Sequence, residues 1–322
     1  LVGTVSQQHL TDSLRVSDDG VRTEQLSVLS LNLRVTHSGD VAGRQRGRHA
    51  GTALIKKNHA VSLRQLSNPA DKRWSTIGQS FGGFLTLSYL SFAPQSLRDC
   101  RITAGLAPIR TSVDNVYQHT FDRMKERNEE YYSWFPEDAE LATRIAEHLR
   151  THKEYLPTGE RLTDHRFQMA GHFLGGRWRE RGLHYFLETA FAEGNDHLSN
   201  QFLTAMGAEV TFQANPLYAL MHETIYADGP ADGVLPGIPG YELSPSPAPT
   251  NWSAARVAAS RPEFAPDADR LLFTGEHIFP WYYEEDPSLR PLAEVANLLA
   301  EKKDWGRLYD HAQLHKNEVP VV

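Results

Sequence analysis

The sequence contains a single cysteine, Cys100, among its 322 residues. One cysteine excludes an internal disulfide framework and a cysteine-based metal cluster, and it is consistent with a reducing compartment, so we expect a cytoplasmic protein. Long apolar runs are also missing, because the longest ones fall far short of the roughly 20 residues that cross a membrane. A membrane is therefore not an expected partner.

A surplus of basic residues is absent as well. The 33 Lys and Arg residues are outnumbered by 40 Asp and Glu residues, which gives a net charge of −7 and a sequence pI of about 6.1. This balance argues against nucleic acid as the main partner. Hydrophobic residues make up 40% and charged residues 23% of the chain, as in an ordinary soluble globular protein. The length is sufficient for one large α/β domain or two smaller ones.

Residues 1–67 are rich in Ser, Gln, Arg, Thr and His and show little apolar periodicity. Within them, residues 29–35 alternate apolar and polar side chains, which predicts one strand. The glycine-bounded run 39–51 carries three arginines. These could form a patch that binds anions or nucleic acid, but a solvated, poorly ordered loop is the interpretation that we favour.

A coherent pattern begins after Pro69. Residues 74–79 predict a short buried strand, residues 82–93 a helix with small and apolar faces, and residues 99–108 a second buried strand that ends in a loop. A strand–helix–strand succession of this kind is typical of a parallel sheet. We therefore expect the fold class to be α/β.

The turn between the first strand and the helix carries the pattern G-x-S-x-G, with Ser80 at its centre. The bare pattern is common by chance, but here it stands between a predicted strand and a predicted helix. In that context it predicts a nucleophile elbow, in which a strained turn exposes the serine Oγ. Ser80 is then the expected nucleophile, and the backbone N–H of Phe81 is one expected oxyanion donor.

Residues 112–227 show helical periodicity and many aromatic residues, and we expect no strand among them. The predicted helices cover residues 113–135, 139–152, 164–174, 183–193, 198–206 and 217–226. The following stretch, 228–251, is dense in proline and glycine and predicts a loop or linker. Strand character returns at residues 270–276, an amphipathic helix is predicted at 289–303, and residues 318–322 resemble the start of another buried strand.

A serine nucleophile needs a base and an orienting acid, which in an elbow-type hydrolase follow in the order acid, then histidine. The candidates that come late in the chain are Glu276 or Asp310 with His311 or His315. The two histidines are four residues apart, a spacing that on a helix could also hold a metal ion. We favour a third interpretation, that they are surface residues of a polar terminal segment, because no strand separates them from Asp310.

The pair His222 and Glu223 superficially matches a zinc-protease helix, but that motif needs a second histidine at the position of Tyr226. Zinc is therefore not expected. Glu223 lies in an apolar, aromatic helix, where a carboxylate is either paired structurally or directed at a cationic ligand. The residues alone leave both alternatives open.

Taken together, the motifs from about residue 68 to residue 322 resemble those of prolyl aminopeptidases, also called proline iminopeptidases. The motifs are G-Q-S-F-G-G-F at 78–84, G-L-A-P at 105–108, E-R-N at 126–128, Y-Y at 131–132, F-P at 135–136, N-P-L-Y at 215–218, H-E at 222–223, L-F-T-G-E at 272–276, P-W at 280–281 and N-E-V-P at 317–320. Many separate motifs fall in one order, which makes the resemblance specific.

The resemblance implies an α/β-hydrolase core with an incomplete parallel sheet and an inserted helical cap domain. The expected divisions are an unmatched segment 1–67, a first core part 68–110 with the elbow, a cap 111–263 that includes the loop 228–251, and a second core part 264–322 that is truncated.

The activity implied is that of a serine peptidase that releases N-terminal proline from short peptides and needs no metal or cofactor. In such enzymes carboxylates of the cap hold the free amino group of the substrate. Glu223 is the first candidate for this role by position, and Glu276, on the core side, is the second.

The chain departs from the family pattern in two places. Residues 1–67 contain neither the glycine-rich H-G-G-P-G oxyanion loop nor the D-Q-R-G motif, and the acid and histidine of the family lie beyond the strand that begins near Val319. We therefore expect a fragment with little or no activity. The alternatives are an esterase or amidase of the same fold, and a non-catalytic pseudo-hydrolase that binds peptides.

Overall fold

In the computed structural model, the described residues are 34–36, 73–109, 111–176, 179–192, 194, 196–228, 249–303 and 305–322. The predictions for residues 29–33, for the arginine-bearing run 39–51 and for most of the loop 228–251 lie outside these ranges.

Three strands form one sheet in the order β1–β2–β3. They are β1 Arg34–Thr36, β2 Trp74–Gln79 and β3 Leu97–Thr103. β2 pairs antiparallel with β1 and parallel with β3. Helix α1, Phe81–Phe92, connects the two parallel strands, so the strand–helix–strand unit predicted from the sequence is present.

Local chemistry explains which face of α1 is buried and where the helix ends. Gly82, Gly83, Leu85 and Leu90 are buried on it, as expected of a helix that packs between a sheet and its covering layer. The helix ends at Phe92 because Pro94 follows two residues later, and a residue before proline avoids helical dihedral angles.

Most of the remaining described chain is helical. The further helices are α2 Val113–Trp134, α3 Pro136–Thr151, α4 Asp164–Phe167, α5 Glu180–Glu188, α6 Asn200–Val210, α7 Pro216–Met221, α8 Ser253–Ala259, α9 Tyr282–Glu285, α10 Ala293–Glu301 and α11 His311–His315. Short 3₁₀ segments occur at Pro94–Ser96, Gln168–Gly175, Thr224–Tyr226, Pro262–Phe264 and Arg290–Leu292.

Two hydrophobic clusters hold the described residues together. The larger one joins the helices from α2 to α10 with the extended run 271–273. The smaller one, between α1 and β3, consists of Leu90, Leu97 and Cys100, against which Leu314 and Val319 pack. The segment that contains α11 therefore covers the sheet-side cluster.

The predicted strand at residues 270–276 is wrong. The segment is extended but joins no sheet, because side chains satisfy its backbone. Asn128 accepts the N–H of Phe273 at 2.8 Å and donates to the Phe273 carbonyl at 2.9 Å. Gln168 donates to the carbonyl of Leu272 at 2.8 Å. The run of apolar residues reflects burial in the larger cluster.

The helical block also differs from the prediction in several details. The helix predicted at 217–226 ends at Met221, so Glu223 lies in the turn before the 3₁₀ segment Thr224–Tyr226. A short antiparallel hairpin, β4 Glu154–Tyr155 and β5 Arg161–Leu162, interrupts it where no strand was expected. The helix predicted at 164–174 is the short α4 followed by the 3₁₀ segment Gln168–Gly175.

The last residues behave as the start of a strand, as predicted. Cys100 donates its N–H to the carbonyl of Pro320 at 2.8 Å, and Val322 donates to the carbonyl of Cys100 at 2.9 Å. The bridge between Cys100 and Val321 is parallel, so this segment extends the sheet beside β3. Within the described ranges, no helix is both long and apolar enough to cross a membrane.

Candidate active site

Ser80 occupies a sharp junction between β2, which ends at Gln79, and α1, which begins at Phe81. Its backbone has φ 53° and ψ −124°. A positive φ is uncommon for a residue with a side chain, and such a conformation costs about 1–3 kcal/mol. The side chain is exposed, so the strained turn presents the Oγ to solvent.

Three glycines make this junction sterically possible. A Cβ on Gly78 would lie 2.2 Å from the carbonyl oxygen of Gly82, and one on Gly83 would lie 1.9 Å from that of Gly105. A Cβ on Gly105 would in turn lie 1.9 Å from the carbonyl oxygen of Ser80. The turn, the helix and the loop after β3 therefore meet at backbone contact distance.

Backbone hydrogen bonds fix the same junction. The N–H of Ser80 donates to the carbonyl of Thr103, at the end of β3, at 2.9 Å, and the N–H of Gly83 donates to the carbonyl of Ser80 at 2.8 Å. The N–H of Phe81 belongs to the first turn of α1, where no intrahelical acceptor exists. It is therefore suited to hold a developing oxyanion next to the Ser80 Oγ.

No hydrogen bond joins the Ser80 side chain to another of the described residues. The late candidates for acid and base are engaged elsewhere. Asp310 caps α11 by accepting the N–H of Gln313 at 3.0 Å, and Nε2 of His311 lies 3.4 Å from Oδ2 of Asp228.

The interpretation that both late histidines are surface residues is wrong for His311. The His311 side chain is only 11% exposed, so His311 is not a surface residue of a polar tail. His315 is exposed, as expected.

Aromatic rings connect the elbow to the helical segment. The ring centroids of Phe81 and Phe84 are 6.0 Å apart, and those of Phe84 and Tyr226 are also 6.0 Å apart. The Tyr226 ring in turn meets the edge of Tyr117 at 6.0 Å. This row of rings leads from Ser80 to the surroundings of Glu276 and Glu223.

Glu276 is exposed, and its charge acts on the hydroxyls of Tyr226 and Tyr218. Burial and the charge of Glu276 raise the pKa of Tyr226 to about 12. Burial, the same charge and a hydrogen bond to Glu276 raise the pKa of Tyr218 further. His222 donates from Nε2 to the backbone carbonyl of Glu276 at 2.7 Å, and the Glu276 carboxylate forms no ion pair with a Lys or Arg of the described residues.

Glu223 is buried, with 6% of its surface exposed. Its Oε2 accepts the N–H of Ala254 at 3.4 Å, whereas its Oε1 is buried without a hydrogen-bond partner. Burial raises the pKa of Glu223 above its ordinary value. A cavity of about 10 Å³ lies beside it, which is room for about one water molecule.

His277 is a structural residue of the same region. Its Nδ1 accepts the N–H of Gly275 at 3.1 Å, so the proton of the neutral ring is on Nε2, 3.0 Å from Oγ1 of Thr120. The ring stacks on Phe121 at 3.9 Å. Burial, with the neighbouring His222 and His172, lowers the pKa of His277 to about 3, so this ring stays uncharged near neutral pH.

The expected site residues thus form two groups. Ser80 and Phe81 stand together at the elbow, and Glu223 directly follows His222, whose Nε2 donates to the backbone carbonyl of Glu276. The tyrosines around Glu276 were not foreseen from the sequence. Tyr218 and Tyr226 could have been found from the sequence, because each stands four residues from His222. Tyr117 is too distant in sequence to be found in this way. No group of three His, Cys, Asp or Glu side chains in the described ranges is arranged to hold a metal ion.

No family model matches the chain. The chain is 41% identical to a proline iminopeptidase of Aeromonas sobria over 264 residues, which cover 82% of this chain and 57% of that protein. It is 35% identical over 260 residues to the proline iminopeptidase aneH of Aspergillus aculeatus, which corresponds to 79% of this chain and 53% of the relative. The chain therefore spans about half the length of the curated relatives that it matches.

Proposed function

Because the chain is homologous to proline iminopeptidases along about four fifths of its length, we propose that it carries the nucleophile and the amine-binding residues of a serine-type prolyl aminopeptidase. The observation that carries this proposal is the conformation of Ser80, at φ 53° on the strand-to-helix junction. Strain at a residue with a reactive side chain is a feature of functional sites.

In the proposed reaction, Ser80 Oγ attacks the carbonyl carbon of an N-terminal proline. The Phe81 N–H stabilises the oxyanion that forms, and the peptide amine leaves with a proton from the histidine that accepted the serine proton. Water then releases free proline from the acyl-enzyme. In this proposal, the described residues supply the nucleophile and one oxyanion donor.

The proposed amine subsite lies around Glu276. An N-terminal proline presents a secondary ammonium on an apolar ring, and an exposed carboxylate among tyrosine rings suits both parts of that group. Glu276 is exposed and unpaired by Lys or Arg of the described chain. Glu223 is buried, so we assign direct contact to Glu276 and a supporting position behind it to Glu223.

We also propose an α/β-hydrolase fold with a helical cap for this chain. The parallel pair β2 and β3 with α1 would be the centre of an α/β-hydrolase core, and residues 111–263 would be its helical cap. The proposal is supported by the separate hydrophobic clusters on the sheet side and in the helical block. The row of rings from Phe81 to Tyr226 would then line the passage between core and cap.

Turnover by this chain alone is expected to be small. A serine without its base retains little of its catalytic power, and no described histidine is hydrogen-bonded to Ser80. The same observation favours a second candidate function, a pseudo-hydrolase that binds peptides with a free N-terminal proline without cleaving them. The two candidates share the amine subsite and differ only in turnover.

Hydrolysis of proline-β-naphthylamide by the 322-residue chain and by Ser80→Ala separates these functions. Turnover that persists in Ser80→Ala would eliminate Ser80 as the nucleophile. Turnover that disappears in Ser80→Ala but not in Ser88→Ala, a half-buried serine of the same helix, would support the peptidase and refute the low-activity expectation.

Binding tests the amine subsite whatever the turnover. Calorimetric titration with L-prolinamide and with N-acetyl-L-prolinamide compares a free ammonium with a blocked one. We expect Glu276→Gln to remove the preference for L-prolinamide and Glu223→Gln to weaken it, while Glu284→Gln, another exposed carboxylate, leaves it intact. Equal losses for both ligands would count against an amine-binding role.

A further inference from the structure

The loop that follows β3 touches the elbow at two points. Thr103, the last residue of β3, accepts the N–H of Ser80 at 2.9 Å. Two residues later, a Cβ on Gly105 would stand 2.6 Å from the carbonyl carbon and 2.9 Å from the Cα of Ser80. Ala104, between these contacts, has φ 50°, which is uncommon for a residue with a side chain. The contacts with Ser80 therefore fix the course of this loop.

Leu106 is the next residue of the loop, and 76% of its surface is exposed. Consecutive Cα atoms are about 3.8 Å apart, so the Cα of Leu106 lies within about 9 Å of the Cα of Ser80. An isolated exposed leucine needs no explanation on a protein surface. Leu106, however, begins an apolar run with Ala107, Pro108 and Ile109, which are half-buried. An apolar loop, residues 106–109, therefore borders the elbow.

Two different segments lie next to Ser80. The row of rings from Phe81 through Phe84 to Tyr226 leads to the amine subsite of the proposed function. The loop after β3 is not part of that row, because it approaches the elbow at Gly83 and at the backbone of Ser80. A substrate whose proline lies toward the rings therefore has the apolar loop beside the rest of its chain.

The reaction itself brings the second residue of the peptide to this place. Ser80 Oγ attacks the carbonyl carbon of the proline, and the nitrogen of the second residue is bonded to that carbon. We propose that the apolar loop forms the leaving-group side of the site, and that Leu106 is a specificity-determining residue that contacts an apolar side chain on the second residue of the peptide. The inference rests on the proposed function, because it takes the reaction from it.

The composition of the loop selects the chemistry of that side chain. Between Arg101 and Arg110 the sequence carries no charged residue, and the Leu106 side chain is purely apolar. Contact with an apolar side chain removes apolar surface of both partners from water, and covering roughly half a leucine side chain strengthens binding by about fivefold. A polar side chain of the same size would lose hydration there without gaining a hydrogen bond.

Calorimetric titration with L-prolinamide, L-prolyl-L-leucinamide and L-prolyl-L-asparaginamide tests the inference. All three ligands present the same N-terminal proline, and leucine and asparagine are similar in size but differ in polarity. The 322-residue chain with Ser80→Ala serves as the reference, so that no ligand is consumed. We expect the reference to bind the leucine compound about fivefold more tightly than the asparagine compound. Leu106→Asn in the same background should abolish this difference and leave the affinity for L-prolinamide unchanged.

Leu298→Asn in the same background is the matched control. Leu298 lies on α10 and is also exposed, at 62%, so this variant should keep the preference for the leucine compound. Both leucines are largely exposed, and neither substitution should shift the midpoint of urea unfolding appreciably. A change of affinity in Leu106→Asn can then be assigned to the lost contact and not to unfolding.

The outcomes separate this inference from the proposal on which it rests. If the reference binds L-prolinamide but shows no preference for the leucine compound, or if Leu106→Asn retains that preference, the role of Leu106 is refuted and the proposed function stands. Loss of the preference in Leu298→Asn as well would also refute a specific role of Leu106. If the reference binds none of the three ligands, the proposed function fails, and the role of Leu106 fails with it.

Discussion

Gly105→Ala tests the close packing on which the elbow depends. The added Cβ would stand 1.9 Å from the carbonyl oxygen, 2.6 Å from the carbonyl carbon and 2.9 Å from the Cα of Ser80. All three are backbone atoms, so no side-chain rotation can relieve the contact. The loop after β3 and the elbow must then move apart by about 1 Å, and overpacking of this kind costs about 1–3 kcal/mol.

The same glycine-to-alanine change at Gly207 is a control, because it is expected to raise the stability of the chain and not to lower it. Gly207 lies inside α6, and an added Cβ would meet Pro157 and Leu156 at 3.7 Å and 3.8 Å, which is ordinary contact. Alanine is the better helix former by about 0.5–1 kcal/mol. We therefore expect Gly207→Ala to stabilise the chain and Gly105→Ala to destabilise it.

Urea unfolding of the three proteins, followed by tryptophan fluorescence and far-ultraviolet circular dichroism, measures both effects. The midpoint of Gly105→Ala should lie below that of the wild type, and the midpoint of Gly207→Ala above it. An unchanged midpoint for Gly105→Ala would refute the close approach of the loop to Ser80, and with it the geometric argument for the elbow.

Three further predictions concern stability. Ser80→Gly should be about 1 kcal/mol more stable than Ser80→Ala in the same urea assay, because glycine adopts the positive φ without strain. Asn128→Ala should cost about 2–4 kcal/mol, because it leaves a buried N–H and C=O of the extended run unpaired. Burial alone would lower the pKa of His165, but hydrogen bonds to Asp164 and Glu285 raise it to about 9, above the ordinary 6.5. The imidazolium therefore stabilises the fold below pH 6.5 and ceases to do so as the pH rises through 9, so the difference in unfolding free energy between wild type and His165→Gln should shrink over that range.

The parts of the fold with local signals could be predicted from the sequence. Helix α2 was expected at 113–135 and occupies Val113–Trp134, because Ser112 caps its first turn and Pro136 prevents its continuation. The elbow could also be predicted from local sequence, because the strand, the glycines and the helix are consecutive. The resemblance to prolyl aminopeptidases is confirmed by the curated relatives.

The predictions that failed concern contacts between residues that are far apart in the sequence. Residues 270–276 have the composition of a buried strand, but side chains from distant helices, Asn128 and Gln168, occupy the hydrogen bonds that a neighbouring strand would have used. The position of His311 depends on Asp228, 83 residues away. No pattern within a window of the sequence contains this information, because it arises only when separate segments pack.

The candidate site likewise combines residues that a local motif predicts with residues that only tertiary packing brings together. Ser80 could be identified from seven consecutive residues, whereas the surroundings of Glu276 combine Tyr117 with residues about a hundred positions later. Only Tyr218 and Tyr226 share a spacing with His222 that sequence could have revealed. The amine subsite is therefore a product of tertiary packing, and the two carboxylates predicted for it differ in burial in a way that their sequence contexts do not indicate.

Backbone strain is concentrated at the ends of the two parallel strands. Of the four described non-glycine residues with positive φ, Ser80 and Ala104 stand directly after the parallel strands β2 and β3. The last residue of β3, Thr103, directly precedes Ala104 and accepts the N–H of Ser80. The two strained residues therefore meet at this hydrogen bond. In open α/β sheets, ligands bind at the carboxyl ends of the strands. Two unfavourable conformations at that edge, held by glycine contacts and hydrogen bonds, are difficult to explain by folding alone, since a glycine at either position would remove the cost. A serine in this strained conformation is what the proposed nucleophile requires.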